Sequence, residues 1–359
     1  MIEAAQPQRK RRLWPVFVAP GLFLLIALGW SAFWFYAAAQ VDGVIDGWRA
    51  REAQSGRIHG CRQQSVGGFP FRLEVRCEGA SVALVSQTPE QTSSQSAAML
   101  RFAEILVVAQ VYTPNLLIAE FTAPATVSDA GRPPLAIASW HTARASVAGP
   151  PERPEQVALV LEDPAVERMD GASQVPVFRA KRLALHGRPA PATDAGQPAI
   201  EAVLQVDQAT GPEVHPALAA PFDGQLRVLL HGLTNFDPKP WPERFREIQA
   251  AGGRIEIVQA RLQQGDLLAA AGGSLGIAAN GHLAGQLDLT VAGADAVLQA
   301  LGLDAALGPL SRLVPGGIMA MLGKPATLEG RDAVALPLAF ENGGVRLGPV
   351  TVAHTDPLF

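Results

Sequence analysis

The pattern in this chain closest to a catalytic motif is Gly272-Gly273-Ser274-Leu275-Gly276, which fits the G-x-S-x-G form of a nucleophile elbow. Such an elbow places its serine on a sharp turn between a strand and a helix, where the Oγ is exposed for acyl transfer. Here the residues after Ser274 read as strand and run into Asn280-Gly281, a hairpin signal, so the context for a hydrolase is missing. An acid and a histidine follow in the required order, Asp332 and His354, but order alone supplies no geometry. Gly317 to Gly323-Lys324 approximates a phosphate loop. It has five residues between the glycines where four are required, and Pro325 replaces the hydroxyl residue that would reach Mg²⁺.

The seven histidines are dispersed with no H-x-x-x-H spacing and support no metal site. The acidic pairs Glu162-Asp163 and Glu152/Glu155 fall at strand ends or in loops and read as solvated surface rather than as a glycosidase pair. The expectation is a non-catalytic protein with no metal and no cofactor.

Two cysteines occur, Cys61 and Cys77. Outside a reducing compartment a disulfide is their default state, closing a loop of about 17 residues. A redox or metal pair is the alternative, without the C-x-x-C spacing that would favour it.

The compartment follows from the N-terminus. Arg9-Lys10-Arg11-Arg12 is followed by 29 uncharged residues, Leu13 to Val41. The apolar part, Leu13 to Tyr36, spans about 36 Å as a helix at about 1.5 Å per residue, against a hydrocarbon core of about 30 Å. Trp14 at one end and Trp30, Trp34 and Tyr36 toward the other are spaced as interfacial aromatics. The first charges beyond are Asp42 and Asp46, so the positive-inside rule keeps the N-terminus in the cytoplasm.

The expected organisation is a basic cytoplasmic tail at 1–12, a signal anchor crossing the inner membrane once at 13–40, and a periplasmic β-rich body at 41–359. Ala37-Ala38-Ala39 leaves open the reading of a cleaved signal peptide; the length and aromatic content of the apolar run favour retention. Either reading exports residues 42–359. Setting aside the tail's four basic residues and one acidic leaves 25 basic against 32 acidic. That balance argues against nucleic acid as a partner.

Beyond the span, Val41, Val44, Ile45 and Trp48 make an apolar stripe on a short helix running to about Ser55, expected to pack on its own domain. From Ile58 the chain reads mainly as β. Phe69, Phe71, Leu73 and Val75 alternate with Pro70, Arg72, Glu74 and Arg76, and short strands follow at Val82–Val85, 102–111, 116–121, 135–147, 156–161, 177–185 and 200–206.

A Pro- and Ala-rich stretch near 187–199 is the best candidate for an internal subdivision. A helix is expected at Trp241–Ala250, with prolines at its start and Gly252-Gly253 at its end. A meander follows at 254–258, 260–263, 266–270, 274–278 and 282–291. A helix is then expected at 295–313, and a final hairpin turned by Asn342-Gly343-Gly344. The fold class expected is mainly β with a few helices (α+β), with a long curved antiparallel sheet behind one N-terminal transmembrane helix.

The stretch Cys61-Arg62-Gln63-Gln64-Ser65-Val66-Gly67-Gly68-Phe69-Pro70-Phe71-Arg72-Leu73-Glu74-Val75-Arg76-Cys77, after an anchor and a short Trp-containing helix, resembles the domain of unknown function 2125 family of bacteria. The resemblance continues around Gly272–Gly293 and in the terminal Gly343-Gly344-Val345-Arg346-Leu347-Gly348-Pro349 strand. The Gly-Phe-Pro-Phe element is similar to those of AsmA-like envelope proteins and mycobacterial lipid-binding proteins. Those relatives imply an elongated, periplasm-facing β body and, for some, lipid handling; no catalytic residues carry over.

Together these readings make the leading expectation a carrier that binds or guides a hydrophobic ligand such as a lipid along a curved apolar sheet. Phe69, Phe71, Leu275, Ile277, Leu287 and Leu289 would line it. An envelope scaffold or assembly factor binding other proteins is the alternative, and an exported hydrolase a distant second.

Overall fold

The computed structural model describes residues 14–85, 96–129, 131–150, 154–171, 173–190, 198–233, 240–293, 323–347 and 350–359. Helix α1 (Trp14–Gln54) is a single continuous helix of 41 residues. The separate short helix expected from Val41 to Ser55 is its last third, because Ala37-Ala38-Ala39-Gln40 are strong helix formers and nothing interrupts the ladder there. Its apolar part is long enough to cross a membrane, with a mean hydropathy of 1.8. Phe17, Phe23, Leu25 and Leu28 point away from all protein. Toward its C-terminus the helix meets the body: Trp48 packs on His59 with ring centroids 4.4 Å apart, and Gln64 bridges Asp42 and Arg49.

Beyond it the described residues form one antiparallel sheet, with one short α-helix and a 3-10 turn at Pro216–Ala219, and the strands pair mostly with their sequence neighbours. Strands β1 (Arg57–Gly60) and β2 (Gln63–Gly67) lie on β3 (Arg72–Val85), followed by β4 (Ser96–Gln110) and β5 (Thr113–Ser128). The next three strands are each broken in the middle. They give β6 (Pro134–Ser139) and β7 (Thr142–Ala148), β8 (Gln156–Glu162) and β9 (Ala165–Asp170), and β10 (Ser173–Arg179) and β11 (Arg182–Pro189).

One track runs β5–β7–β8–β11 and the other β5–β6–β9–β10. The first continues through β12 (Ala199–Ala209), β13 (Phe222–His231), β14 (Arg254–Gln264), β15 (Leu267–Ile277) and β16 (Leu283–Ala292) to β18 (Arg331–Glu341). Along the far side of β18 lie β17 (Lys324–Leu328) and β19 (Gly344–Leu347), and β20 (Val350–His354) closes the order on β19. Among the described residues no pairing joins β20 to β1 or β2, so the sheet stays open.

Several expected boundaries move for local reasons. The strands read at 254–258 and 260–263 are one, β14, because the break at Val258-Gln259 is a bulge, marked by a register shift between Ile257 and Ala260. The strand read at 177–185 is two, split at Ala180-Lys181. Of the stretch 187–199, residues 187–189 belong to β11 and Ala199 opens β12, which pairs with β11 from Arg182↔Asp207 to Pro189↔Ile200, and residues 191–197 lie outside the described residues. The helix expected at 295–313 and residues 317–322 of the glycine-lysine motif lie outside the described residues, while Gly323 and Lys324 lead into β17.

Helix α2 (Trp241–Ala250) falls where proline and glycine place it. Its Ile248 is fully buried over Gly253, where an added Cβ would stand 2.4 Å from the His231 carbonyl oxygen. Asn342 and Gly343, at φ of 50° and 80°, form the two-residue hairpin turn expected of them.

Cys61 sits in the break between β1 and β2 and is bonded to Cys77 in β3. Together they staple the three-stranded start of the sheet. Replacing both with serine is expected to lower stability by about 3 kcal/mol through the unfolded chain. A shift of the urea midpoint to lower concentration, with unchanged slope, checks this.

Candidate functional site

Ser274, the candidate nucleophile, lies mid-strand in β15, opposite Gln286 on one side and Glu256 on the other. No strand-turn-helix surrounds it. Among the described residues no cluster of His, Cys, Asp or Glu suits a metal ion. The site with physical content is instead a face of the sheet.

Because side chains alternate across a strand, residues in register on successive strands line one face. Following the register from the N-terminal end gives Val66, Val75, Val107, Ala119, Ala145, Leu159 and Leu185. The same line continues through Leu204, Leu226, Ala260, Ala271 and Leu289 to Leu336. No polar side chain interrupts it over roughly 58 Å, at about 4.8 Å per strand.

A parallel line, two residues along each strand and three across the β14 bulge, runs Leu73, Ala109, Leu117, Val147, Val157, Gly187, Ala202, Val228, Ile257, Gly273, Leu287, Leu338 and Leu347. The opposite face carries the charges in cross-strand pairs: Arg76 with Glu104, Arg144 with Glu120, and Arg188 and Arg227 both on Glu201.

The apolar face changes character along its length. At the C-terminal end it is filled: Leu275, Leu287, Leu336 and Leu347 are buried, at 4, 7, 1 and 2 % exposure. In the middle an apolar hollow of about 400 Å³ lies over Leu204, Leu226, Leu262, Ala269 and Leu289. Nearer the helix it is open, with Leu117, Val157 and Leu185 about 40 % exposed.

Of the residues named as lining from sequence, Leu275, Ile277, Leu287 and Leu289 do share this face. Leu275 and Leu287 belong to its packed end. Phe69 and Phe71 lie at the other end, about 40 Å away at nine strand spacings, so the six do not converge on one point.

Phe69 and Phe71 meet α1. Trp34 Nε1 donates to the Arg72 carbonyl oxygen and Trp30 Nε1 to that of Pro70, each at 2.8 Å. Phe69 stands edge-on to Trp34 at 5.4 Å between centroids and stacked on Phe35 at 5.7 Å; Phe71 is 6.4 Å from Trp30. Trp34 is 5 % exposed, while Phe69 and Phe71 are 50 and 63 % exposed. The sequence signal for this clasp was the i, i+4 spacing of Trp30 and Trp34, which puts both indoles on one side of the helix.

The polar face holds one strongly organised group. Glu201 is nearly inaccessible because two guanidinium groups cap it at the sheet surface, Arg188 Nε at 2.6 Å and Arg227 Nε at 2.5 Å. The Arg188 hydrogen bond, followed by that of Arg227, outweighs burial and holds the Glu201 carboxyl below its ordinary pKa. A carboxylate whose pKa falls on folding adds stability above its unfolded value of about 4.3, and loses it as pH drops through the folded value. Glu201→Gln is therefore expected to lower the urea midpoint at pH 7 and to flatten its fall between pH 5 and 3. An identical acid profile in both proteins would assign the acid sensitivity elsewhere.

These features define a class: an open antiparallel β meander, apolar on one face, behind a helix long and apolar enough to cross a membrane. A family model for uncharacterized proteins conserved in bacteria, DUF2125, matches residues 34–356, and the chain belongs to that family. No curated protein matches it.

Proposed function

We propose that the protein is a non-catalytic, membrane-anchored periplasmic carrier whose apolar sheet face holds the acyl chains of a lipid. The observation that carries the reading is the pair of uninterrupted apolar lines across the sheet, which begin beside the helix and are open to solvent at Leu117, Val157 and Leu185. Filling that stretch would remove apolar area from water at about 25 cal/mol per Å², and an acyl chain supplies such a surface without needing hydrogen-bond partners. The charged face opposite, with its cross-strand ion pairs, suits contact with water. The exposed leucines and phenylalanines of α1 support a retained anchor, since in water they would form an unusually large apolar patch. The basic tail sets the orientation, with the body outside the cytoplasm.

The test is lipid extraction and mass spectrometry on the full-length chain, purified from membranes with the disulfide intact and exchanged extensively into a lipid-free detergent. A reproducible, stoichiometric lipid that survives the exchange is expected. A folded protein repeatedly free of lipid would defeat the reading and turn attention to protein partners of an envelope scaffold.

A further inference from the structure

We infer that the turn between β2 and β3, Gly68-Phe69-Pro70-Phe71, is seated in the outer leaflet of the bilayer that α1 crosses, so that the open end of the apolar face begins inside the lipid. The inference rests on α1 being a retained span, and it adds a second point of membrane contact, made by the body itself.

The level of the turn comes from α1. A hydrocarbon core of about 30 Å takes up about 20 residues at 1.5 Å each, so a span beginning just after Arg12 emerges near Phe33. The indoles of Trp30 and Trp34 bracket that level, and they donate to the backbone carbonyl oxygens of Pro70 in the turn and of Arg72, the residue that follows it. A turn hydrogen-bonded to residues 30 and 34 cannot stand clear of the membrane. The first charge beyond the span, Asp42, is about 12 Å further along the helix than Trp34.

The chemistry of the turn fits that depth. Two carbonyl groups that would be costly in the acyl–headgroup boundary are satisfied by the indole N–H donors. Phe69 and Phe71, each at least half exposed, offer apolar rings to whatever lies outside. The neighbouring turn adds a third ring. Val111 N–H donates to the Phe71 carbonyl oxygen at 3.1 Å, which places Tyr112, 67 % exposed, beside the phenylalanines. A tyrosine with an exposed ring and a hydroxyl suits the headgroup level.

Phe71 also stands two residues before Leu73, the first member of the second apolar line. It continues the same alternation, and lipid in contact with Phe71 therefore has an apolar path onto the sheet.

The experiment is photocrosslinking of the full-length chain in vesicles of phosphatidylethanolamine and phosphatidylglycerol doped with a phospholipid carrying a diazirine on its acyl chain. Labelled peptides are read by mass spectrometry, and intact mass verifies that α1 is present. Adducts on peptides containing Phe69–Phe71 and Tyr112, in addition to α1, are the expected result. Adducts on α1 alone overturn the inference.

The carrier reading is scored separately by adducts on the peptides holding Leu185 and Leu204, which lie far from the turn. A labelled turn with an unlabelled sheet keeps the membrane seat and removes the carrier. As a second variant, Phe69→Ser with Phe71→Ser keeps both backbone carbonyl acceptors; it is expected to reduce labelling of the Tyr112 peptide at least threefold while α1 labelling is unchanged. Equal Tyr112 labelling in that variant also counts against the seat.

Discussion

Full-length protein carrying Leu185→Glu or Val157→Glu is expected to leave the membrane with about a tenth of the co-purifying lipid of the natural chain and with an unchanged thermal midpoint. Both side chains are about 40 % exposed on the open part of the apolar face, so in the lipid-free state a carboxylate there stays in water and the strand tolerates it. With an acyl chain alongside, the same carboxylate must be desolvated. That costs several kcal/mol unless the chain is displaced, and a loss of only about 1.4 kcal/mol is already tenfold. Gln205→Glu, one residue from Leu204 but on the polar face, is the matched control and should retain its lipid. Lipid content unchanged in both face variants would remove the sheet as the binding surface, whatever the anchor does.

The reason these positions were not chosen from sequence is physical. Alternation within a strand is local and legible: Leu183-x-Leu185, Leu204-x-Val206 and Leu226-x-Val228 each announce an apolar side. Which residue of one strand faces which of the next is decided by turn lengths and bulges. The register shifts at Val206/Ala209 and Arg227/Val228 move that pairing by amounts that no single strand records. The alternation of small and apolar residues in the meander near residue 280 suits an open apolar face, yet Leu275 and Leu287 there are buried, at the filled end of the face.

Punctuated elements were readable. The prolines and the Gly252-Gly253 stop give α2 to the residue, and Asn342-Gly343 gives its hairpin. The turn at Glu329-Gly330 has the same left-handed pair of residues, at φ of 50° and 77°, and went unread because glutamate rarely adopts that conformation. The clasp on α1 was hidden for another reason. Phe69 and Phe71 are apolar enough to line a groove or to meet a helix, and only the indole hydrogen bonds distinguish the two.

The filled end explains the small and apolar alternation that marks β15 and β16, and it yields the largest stability effect expected in the body. Gly273 faces Leu287 across the ladder, and Gly285 faces Leu275. Each leucine lies over the glycine opposite: a Cβ built on Gly273 would stand 3.1 Å from Leu287 Cδ2 and 2.5 Å from the Gln286 carbonyl oxygen, and one on Gly285 would stand 3.3 Å from Leu275 Cδ2. Both glycines have positive φ, 141° and 148°, a backbone conformation that other residues adopt only with strain.

Gly273→Ala therefore combines backbone strain of about 1–3 kcal/mol with overpacking of about 1–3 kcal/mol. At about 2–4 °C per kcal/mol for a body of this size, an apparent midpoint about 10 °C lower is expected by circular dichroism. Gly67→Ala, where an added Cβ meets nothing within 4 Å, should move it by less than about 2 °C. A Gly273→Ala protein melting with the natural chain would show that the sheet yields at this point. The two leucines would then not seal the end of the face at β18.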